Sequence, residues 1–392
     1  MRRISIMVFL SVFLASISFV QSAAAQKIYD LGHYPGGTWA EPRDINNSGL
    51  VVAFGDIPSG YTRPIAVPLL GPHALQWFDL GTLGGDRTDM KVMCMAIADT
   101  GMIVGHSAIA GNQIVHAFAW TPQSGMVDIG TLADIGYSGY NFSLAWGTNK
   151  AGTLIVGWSS TEFPFPLGGP ESLPVVWTPQ VVWTSGRPIT TWKIHKLDLG
   201  DLSSAIGWYA VFPNDFGQII GTATTADGVE IAVVWNPDPG RDGWKIMQLP
   251  VSSDYPNAQP DNINDKGEIV GAVASADGST ALPALWQKKS PSENIWNLAL
   301  LATPPGSPYS EAMGINDRGD IVGYTYNANW NSFAAQWSAK DPTFVRLLGF
   351  PGADSPGAWS WAFKVNDNRI AVEAYGSDTI LENVAAVQFS PE

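Results

Sequence analysis

Seven copies of one turn phrase at about fifty-residue spacing, four strand signals inside each copy, and a spare copy of the fourth-strand phrase at the N-terminal end predict an all-β fold. That fold is a seven-bladed β-propeller of four-stranded antiparallel blades, closed by the N-terminal strand completing the last blade. The phrase is an Asn or Asp, a turn, a Gly and a β-branched run ending in Gly. It reads NNSGLVVA at 46–53, ADTGMIVG at 98–105, NKAGTLIVG at 149–157, NDFGQIIG at 214–221, NDKGEIVG at 264–271, NDRGDIVG at 316–323 and, eroded, NDNRIAV at 366–372. With Gly49, Gly101, Gly152, Gly217, Gly267, Gly319 and Asn368 as markers, the intervals are 52, 51, 65, 50, 52 and 49 residues, the length of a propeller blade.

In chain order, Arg2 and Arg3 precede an apolar run over 4–20, and Ser22, Ala23, Ala24 and Ala25 supply the small residues of a signal-peptidase site. Residues 1–25 therefore read as a signal peptide, and 26–392 as a single propeller domain that is secreted or periplasmic. No later stretch approaches the roughly 18 apolar residues of a membrane span, so no stable membrane insertion is expected after cleavage.

The mature chain opens on Tyr29-Asp30-Leu31-Gly32, a phrase that recurs as Asp79-Leu80-Gly81, Asp128-Ile129-Gly130 and Asp198-Leu199-Gly200 in fourth strands. Nothing like it follows Phe389. The two ends complement each other, so the N-terminal segment is expected to supply the fourth strand of blade seven and pair an edge otherwise left open. Repeat six shows the internal order: Gly314-Ile315-Asn316 ends the first strand, Ile321-Val322-Gly323 forms the second, 333–337 the third and 344–348 the fourth. A third-strand ring recurs as Trp120, Trp177, Trp235, Trp286, Trp337 and Phe389, the large side chain that packing between twisted sheets requires. Repeat three is enlarged by two long connections, 159–173 and 178–191. The first carries Phe163 and Phe165 among prolines and is expected either to project as a partner-binding loop or to fold back over its own blade with the two rings buried.

His116-Ala117-Phe118 followed by Trp120, with the Asp79 to Gly85 phrase and the NxxGxIVG turns, resembles the bacterial probable extracellular repeat family called HAF after its His-Ala-Phe. The resemblance covers nearly all of the mature chain, although one repeat of seven keeps the tripeptide. It implies secretion and repetition and no particular reaction.

Composition narrows the function. Charged residues are 14% and aromatics 11%, with 17 Trp, which excludes intrinsic disorder. Acids outnumber bases 35 to 21, and without Arg2 and Arg3 the balance is 19 against 35, or −16, so nucleic acid is not an expected partner. A lone Cys94 excludes an intrachain disulfide, and the apolar run around it reads as a buried thiol. The five histidines share no short spacing, and the Asn-rich turns lack the alternating oxygens and late Glu of a calcium loop, so neither a metal nor a cofactor is expected.

Strand parity points to the side where function sits. First-to-second turns leave at one rim and are short and uniform; second-to-third and fourth-to-first loops leave at the other and vary. On the varied rim, Trp39, Arg43, Arg87, Tyr137, Tyr140, Trp330, Trp359 and Trp361 are the candidate ligand-binding residues, since exposed rings beside carboxylates suit stacking on sugars or docking a protein. The expected function is a binding scaffold, a monomer, for a glycan or envelope protein. The alternative is a polysaccharide-cleaving enzyme with Glu41, Asp89 and Glu311 as catalytic carboxylates at the central opening.

Overall fold

The computed structural model describes residues 26–86, 92–161, 172–184, 187–238, 240, 243–290, 294–378 and 382–390. They form seven four-stranded antiparallel sheets in a ring, six of them running in sequence order from an inner to an outer strand. The inner strands are Ala40–Ile45, Met93–Ile97, Phe142–Thr148, Gly207–Pro213, Asn257–Ile263, Ser310–Ile315 and Trp359–Val365. No helix among the described residues is long and apolar enough to cross a membrane.

Blade seven takes its fourth strand from the other end of the chain. Lys27–Gly32 pairs antiparallel with Asn383–Gln388, Tyr29 opposite Ala386 and Asp30 opposite Ala385. The recurring Asp of the fourth-strand phrase explains itself here. Its carboxylate accepts the N–H of the Gly two residues on, at 3.2 Å in Asp30, 2.8 Å in Asp79 and Asp128, and 3.2 Å in Asp198, an Asx turn that ends each strand. Asp30 does one thing more, accepting from the Tyr375 hydroxyl of blade seven at 2.7 Å.

The seven turns are not merely seven similar hairpins. The Oδ1 of Asn316 accepts the backbone N–H groups of Arg318 and Asp320, closing its own turn, while its Nδ2 donates to the carbonyl of Asn366 in the next blade at 2.9 Å. The same cross-blade bond runs from Asn214 to Asn264, from Asn264 to Asn316, from Asn366 to Asn46, and from Asn46 to Ala98. A second ring lies beside it. The carboxylate of Asp367 accepts the N–H of Asp317, Asp317 that of Asp265, and Asp265 that of Asp215. The Asn and the following Asp are thus interblade clasps, which is a reason for the phrase that needs no metal.

The turn glycines sit in the left-handed region, Gly319 at φ 85°, and in blade seven that place belongs to Arg369 at φ 58°, one residue beyond the Asn368 marker. The third-strand rings of Trp177, Trp235, Trp286 and Trp337 are fully buried, as core packing between blades demands. Three of them donate Nε1–H to a carbonyl at the end of the preceding blade: Trp235 to Asp198, Trp286 to Pro250 and Trp337 to Ala302.

Blade three departs from expectation at 178–191. The segment is no loop but an extension of both outer strands, Leu173–Thr184 and Arg187–Lys196, paired in register from Val175↔Lys196 out to Thr184↔Arg187. Phe163 and Phe165 lie outside the described residues.

Candidate functional site

Every inner strand carries one β-bulge, and the extra residue always stands three places before the first residue of the turn: Arg43, Met95, Trp146, Val211, Asp261, Met313 and Phe363. A bulge twists the strand and re-aims one side chain. Six of these seven residues, with Phe212 and Lys364, line a cavity of only about 60 Å³. A second, of about 80 Å³, lies toward the turn rim between Asp44, Lys364 and the clasp residues. Side chains therefore narrow the axis at these two levels.

Buried charge is concentrated there. Burial pushes the Asp44 carboxyl up to about 6 despite Lys364 and two backbone N–H bonds, and burial brings Lys364 down to about 8 despite Asp44 and Asp261. The Lys364 ammonium lies 3.7 Å from the centre of the Phe212 ring. At the turn rim, Lys150 reaches across the axis to Asp317 and, at 2.9 Å, to Asp367. Burial opposes its charge, but these two carboxylates outweigh it and raise the ammonium further above its usual range.

Glu41 and Glu311 occupy one register position, five residues before Asn46 and Asn316. Each is joined to a second acid. Burial, then the charge of Glu41, raises Glu382 to about 8, so Glu382 is the protonated partner of Glu41, which also pairs with Arg43 at 2.7 Å. Asp261 is raised well above its usual value by burial and by Glu311. Burial raises Glu311 as well, while hydrogen bonds from Tyr324 and Asp261 hold it partly down. Asp261 thus holds the proton that Glu311 shares.

Around Glu311 the rings gather. Tyr324, directly opposite Glu311 on the neighbouring strand, donates its hydroxyl to the carboxylate. Tyr309 stacks on Tyr324 at 6.3 Å and 10°, Trp361 lies 5.3 Å from Tyr324, and Trp359 5.6 Å from Trp361. Tyr326 meets Tyr309 and Tyr324 edge-on, each at 5.8 Å, and Trp330 lies 5.7 Å from Tyr326. Trp330 is 62% exposed and adopts φ 63°, a strained conformation for a bulky residue. The side chain of Asn327 fixes it there by accepting the N–H groups of Asn329 and Asn331. The result is a platform formed by a continuous cluster of five half-buried rings and the exposed Trp330 across blades six and seven, with a buried carboxyl pair at its base.

Of the ligand-binding residues named from sequence, Trp330, Trp359 and Trp361 meet on this platform. Trp39 packs edge-on against Phe54 at 5.5 Å, and Arg43 turns inward to line the axial cavity instead of the rim. Tyr137 and Tyr140 form a T-shaped pair at 6.3 Å in the connection between blades two and three, apart from the platform. Arg87 and Asp89 lie outside the described residues. Glu41 pairs with Arg43 and Glu382, and Glu311 with Tyr324 and Asp261. Sequence reasoning missed Tyr324, Tyr326 and Asp261; the two tyrosines were visible as Tyr-Thr-Tyr after the sixth IVG.

One acid has no partner. Glu373 is fully buried in blade seven, neither carboxyl oxygen accepts a hydrogen bond, and burial holds it well above its usual range. It stands seven residues after Asn366, where the other copies place the Gly of IVG; a Cβ at Gly323, for instance, comes within 1.9 Å of the Glu311 carbonyl oxygen. Among the described residues no group of three His, Cys, Asp or Glu side chains is arranged to hold a metal ion.

No family model matches the chain, and no curated protein matches it. Solved structures do. The β-propeller domain of the Trilobed protease from Pyrococcus furiosus, described as having an open velcro topology, aligns with TM-score 0.55 at 10% identity over 91% of this chain and 97% of that one. A prolyl endopeptidase aligns with TM-score 0.52 at 11% identity, covering 94% of this chain and 49% of the other. Trypanosoma rangeli sialidase aligns with TM-score 0.45 at 10% identity, covering 94% and 60%. At such identities the first two likenesses show the propeller fold alone.

Proposed function

We propose that the chain is an exported binding scaffold of the HAF-repeat kind, and that its ligand is a glycan received on the aromatic platform of blades six and seven. The single observation that carries this reading is the continuity of Trp330, Tyr326, Tyr309, Tyr324, Trp361 and Trp359, ending in a strained, exposed Trp held out by its own turn. The C–H faces of sugars stack on such rings, and the Tyr hydroxyls offer donors and acceptors to sugar hydroxyls.

The hydrolytic reading has the weaker footing. Two carboxyls that cleave a glycosidic bond stand roughly 5–9.5 Å apart as one acid and one base, whereas burial and the charge of Glu311 together hold Asp261 well above its usual range, and Glu311 is itself raised by burial. Glycan-array screening followed by titration calorimetry on the mature chain tests the proposal. Trp330→Ala is expected to weaken the selected glycan about tenfold, in the range of one lost stacking contact, without changing the fold. Equal affinity in the Trp330→Ala/Trp359→Ala double variant overturns the reading, and release of reducing ends from the glycan restores the enzyme.

A further inference from the structure

The extension of blade three exposes four large apolar side chains, and it stands apart from the platform. Beyond Trp177, cross-strand pairing continues for seven residues, Thr178 through Thr184, against Arg187 to Lys193. Beyond Trp120 it continues only to Thr121, and beyond Trp337 not at all. Beyond Trp235 and Trp286 it continues for three and two residues, so at ~3.3 Å per residue the ribbon reaches about 13–23 Å past the ends of the other blades. Trp183 is 71% exposed, Val181 62%, Ile189 46% and Val182 38%.

Two properties identify what such a ribbon meets. Its apolar side chains lie on both faces: Val181 and Trp183 with Pro188 on one, Val182 opposite Ile189 on the other. A folded partner covers one face of a two-stranded ribbon and leaves the other wet; a fluid interface surrounds both. The second property is charge. From 172 to 197 there is no acidic residue, and Arg187, Lys193 and Lys196 are the charged side chains, on a protein of net charge −14. A Trp-tipped, cationic projection on an acidic body is complementary to an anionic surface. Its length exceeds the ~8 Å Debye length at physiological salt, so the acidic body and the Asp clasps stand clear of that surface's field.

We propose that this ribbon is a peripheral docking arm that enters the headgroup layer of an anionic phospholipid surface. Trp183, Val181 and Ile189 supply the interfacial burial and Arg187, in the tip pair with Thr184, the attraction to lipid phosphate, while Lys193 at the base of the ribbon adds positive charge behind it. Third-to-fourth strand connections leave at the turn rim, whereas Trp330 lies in a second-to-third connection on the opposite rim. Docking through the ribbon therefore turns the aromatic platform away from the lipid. The arm stands independently of what the platform binds.

Vesicle flotation with the mature chain tests this, using phosphatidylcholine vesicles with and without about 30% phosphatidylglycerol. The chain is expected to float with the anionic vesicles, less so at 0.5 M salt. Val181→Ser/Trp183→Ser and Arg187→Glu/Lys193→Glu are each expected to lose at least tenfold in partitioning, with melting temperature and near-UV circular dichroism unchanged because the ribbon lies outside the core. Absence of the wild type from the floating fraction overturns the proposal. So does equal flotation with neutral vesicles, or a dimer in sedimentation velocity that dissolves in Val181→Ser/Trp183→Ser while lipid is ignored, which assigns the ribbon to a second copy of the chain. Glycan binding measured on the same variants keeps failure of the arm distinct from failure of the platform.

Discussion

At the turn rim five of the seven blades make the same side-chain bond to the next blade, and at the opposite rim the connections diverge, although blades four and five still share one Thr/Ser-Ala-Asp-Gly turn. Asn316 and Asn264 make the same bond to the next blade at 2.9 and 3.0 Å, while the second-to-third connection presents Trp330 in blade six and Gly228 in blade four. The difference separates two uses of repetition. Identical contacts between successive blades sum into a ring whose stability depends on each nearest-neighbour interface. Departures from the repeat carry no such duty, and that is where strain, exposed rings and shared protons collect.

Opening the ring is the strongest way to break this comparison, because it attacks the side on which the blades are most alike. Deleting 26–32 removes the strand paired with Asn383–Gln388 and uncovers the blade-seven edge. A fall in melting temperature on the order of 10 °C, with association into dimers or larger species, is expected by calorimetry and light scattering. A deletion variant that stays monomeric at the full-length melting temperature contradicts closure by this strand.

Next in size is a single clasp. Asn316→Ala removes the acceptor for two turn N–H groups and the donor to the Asn366 carbonyl, all in a side chain that is almost fully buried. About 2–4 kcal/mol should be lost in chemical denaturation, the cost of leaving such groups unmade. Trp330→Ala, its counterpart on the other rim, should cost under about 0.5 kcal/mol, as exposed positions do. Equal losses erase the distinction between the rims.

Much of the repeating half was legible in the sequence, for physical reasons. The turn needs Asn for its two-sided hydrogen bonding and Gly for its left-handed backbone; the interblade core needs a large ring; the fourth-strand Asp needs its Gly two places on. Each requirement writes a spacing, and the copy at Asp30 displaced from its blade disclosed the closure. The axis was not legible. A bulge shifts side-chain parity within the strand, so Arg43, expected on the rim, faces inward. Asp261 and Glu311 are fifty residues apart and neither lies in a repeated phrase. Glu373 could have been found by carrying the eroded copy one residue further to the place of the IVG glycine.

The buried acids sharpen the contrast through pH. Glu382 is raised from an ordinary Glu value to about 8, so folding takes up protons above pH 4.5; the stability this gives is complete below the unfolded value and lost as pH rises through about 8. Glu373, raised by burial alone, acts in the same direction. Urea unfolding from pH 5 to 9 should show a decline on the order of 2 kcal/mol, allowing for the part of Glu382 that remains in contact with water. The decline should become shallower in Glu373→Gln/Glu382→Gln, the remainder belonging to Asp44, Asp261 and Glu311, while Asn316→Ala lowers the whole curve without changing its slope. An unaltered slope in the double Gln variant assigns the pH dependence elsewhere.

The smallest expected effect belongs to the residue that names the resemblance. His116 donates to Asp128 at 2.6 Å and to the carbonyl of Asn141, in the connection that leads into blade three. Burial works against its charge, but the Asp128 bond and charge prevail and raise it above 6.5. In blade one the same register holds Arg63, 3.6 Å from Asp79, which makes the pair without needing a proton. The histidine is thus one of two cations that tie a third strand to its fourth, and no catalytic duty is required to account for it. A raised histidine contributes fully below pH 6.5 and loses its contribution as pH climbs through its folded value. Since the pair is half exposed, screening limits the effect to about 0.5 kcal/mol. His116→Arg should keep the stability of the acid form at pH 8 and abolish the dependence that a histidine-resolved NMR titration reads in the wild type. If His116 titrates at or below 6.5, the bond to Asp128 does not hold a proton on the ring, and blade two is stabilised by packing alone.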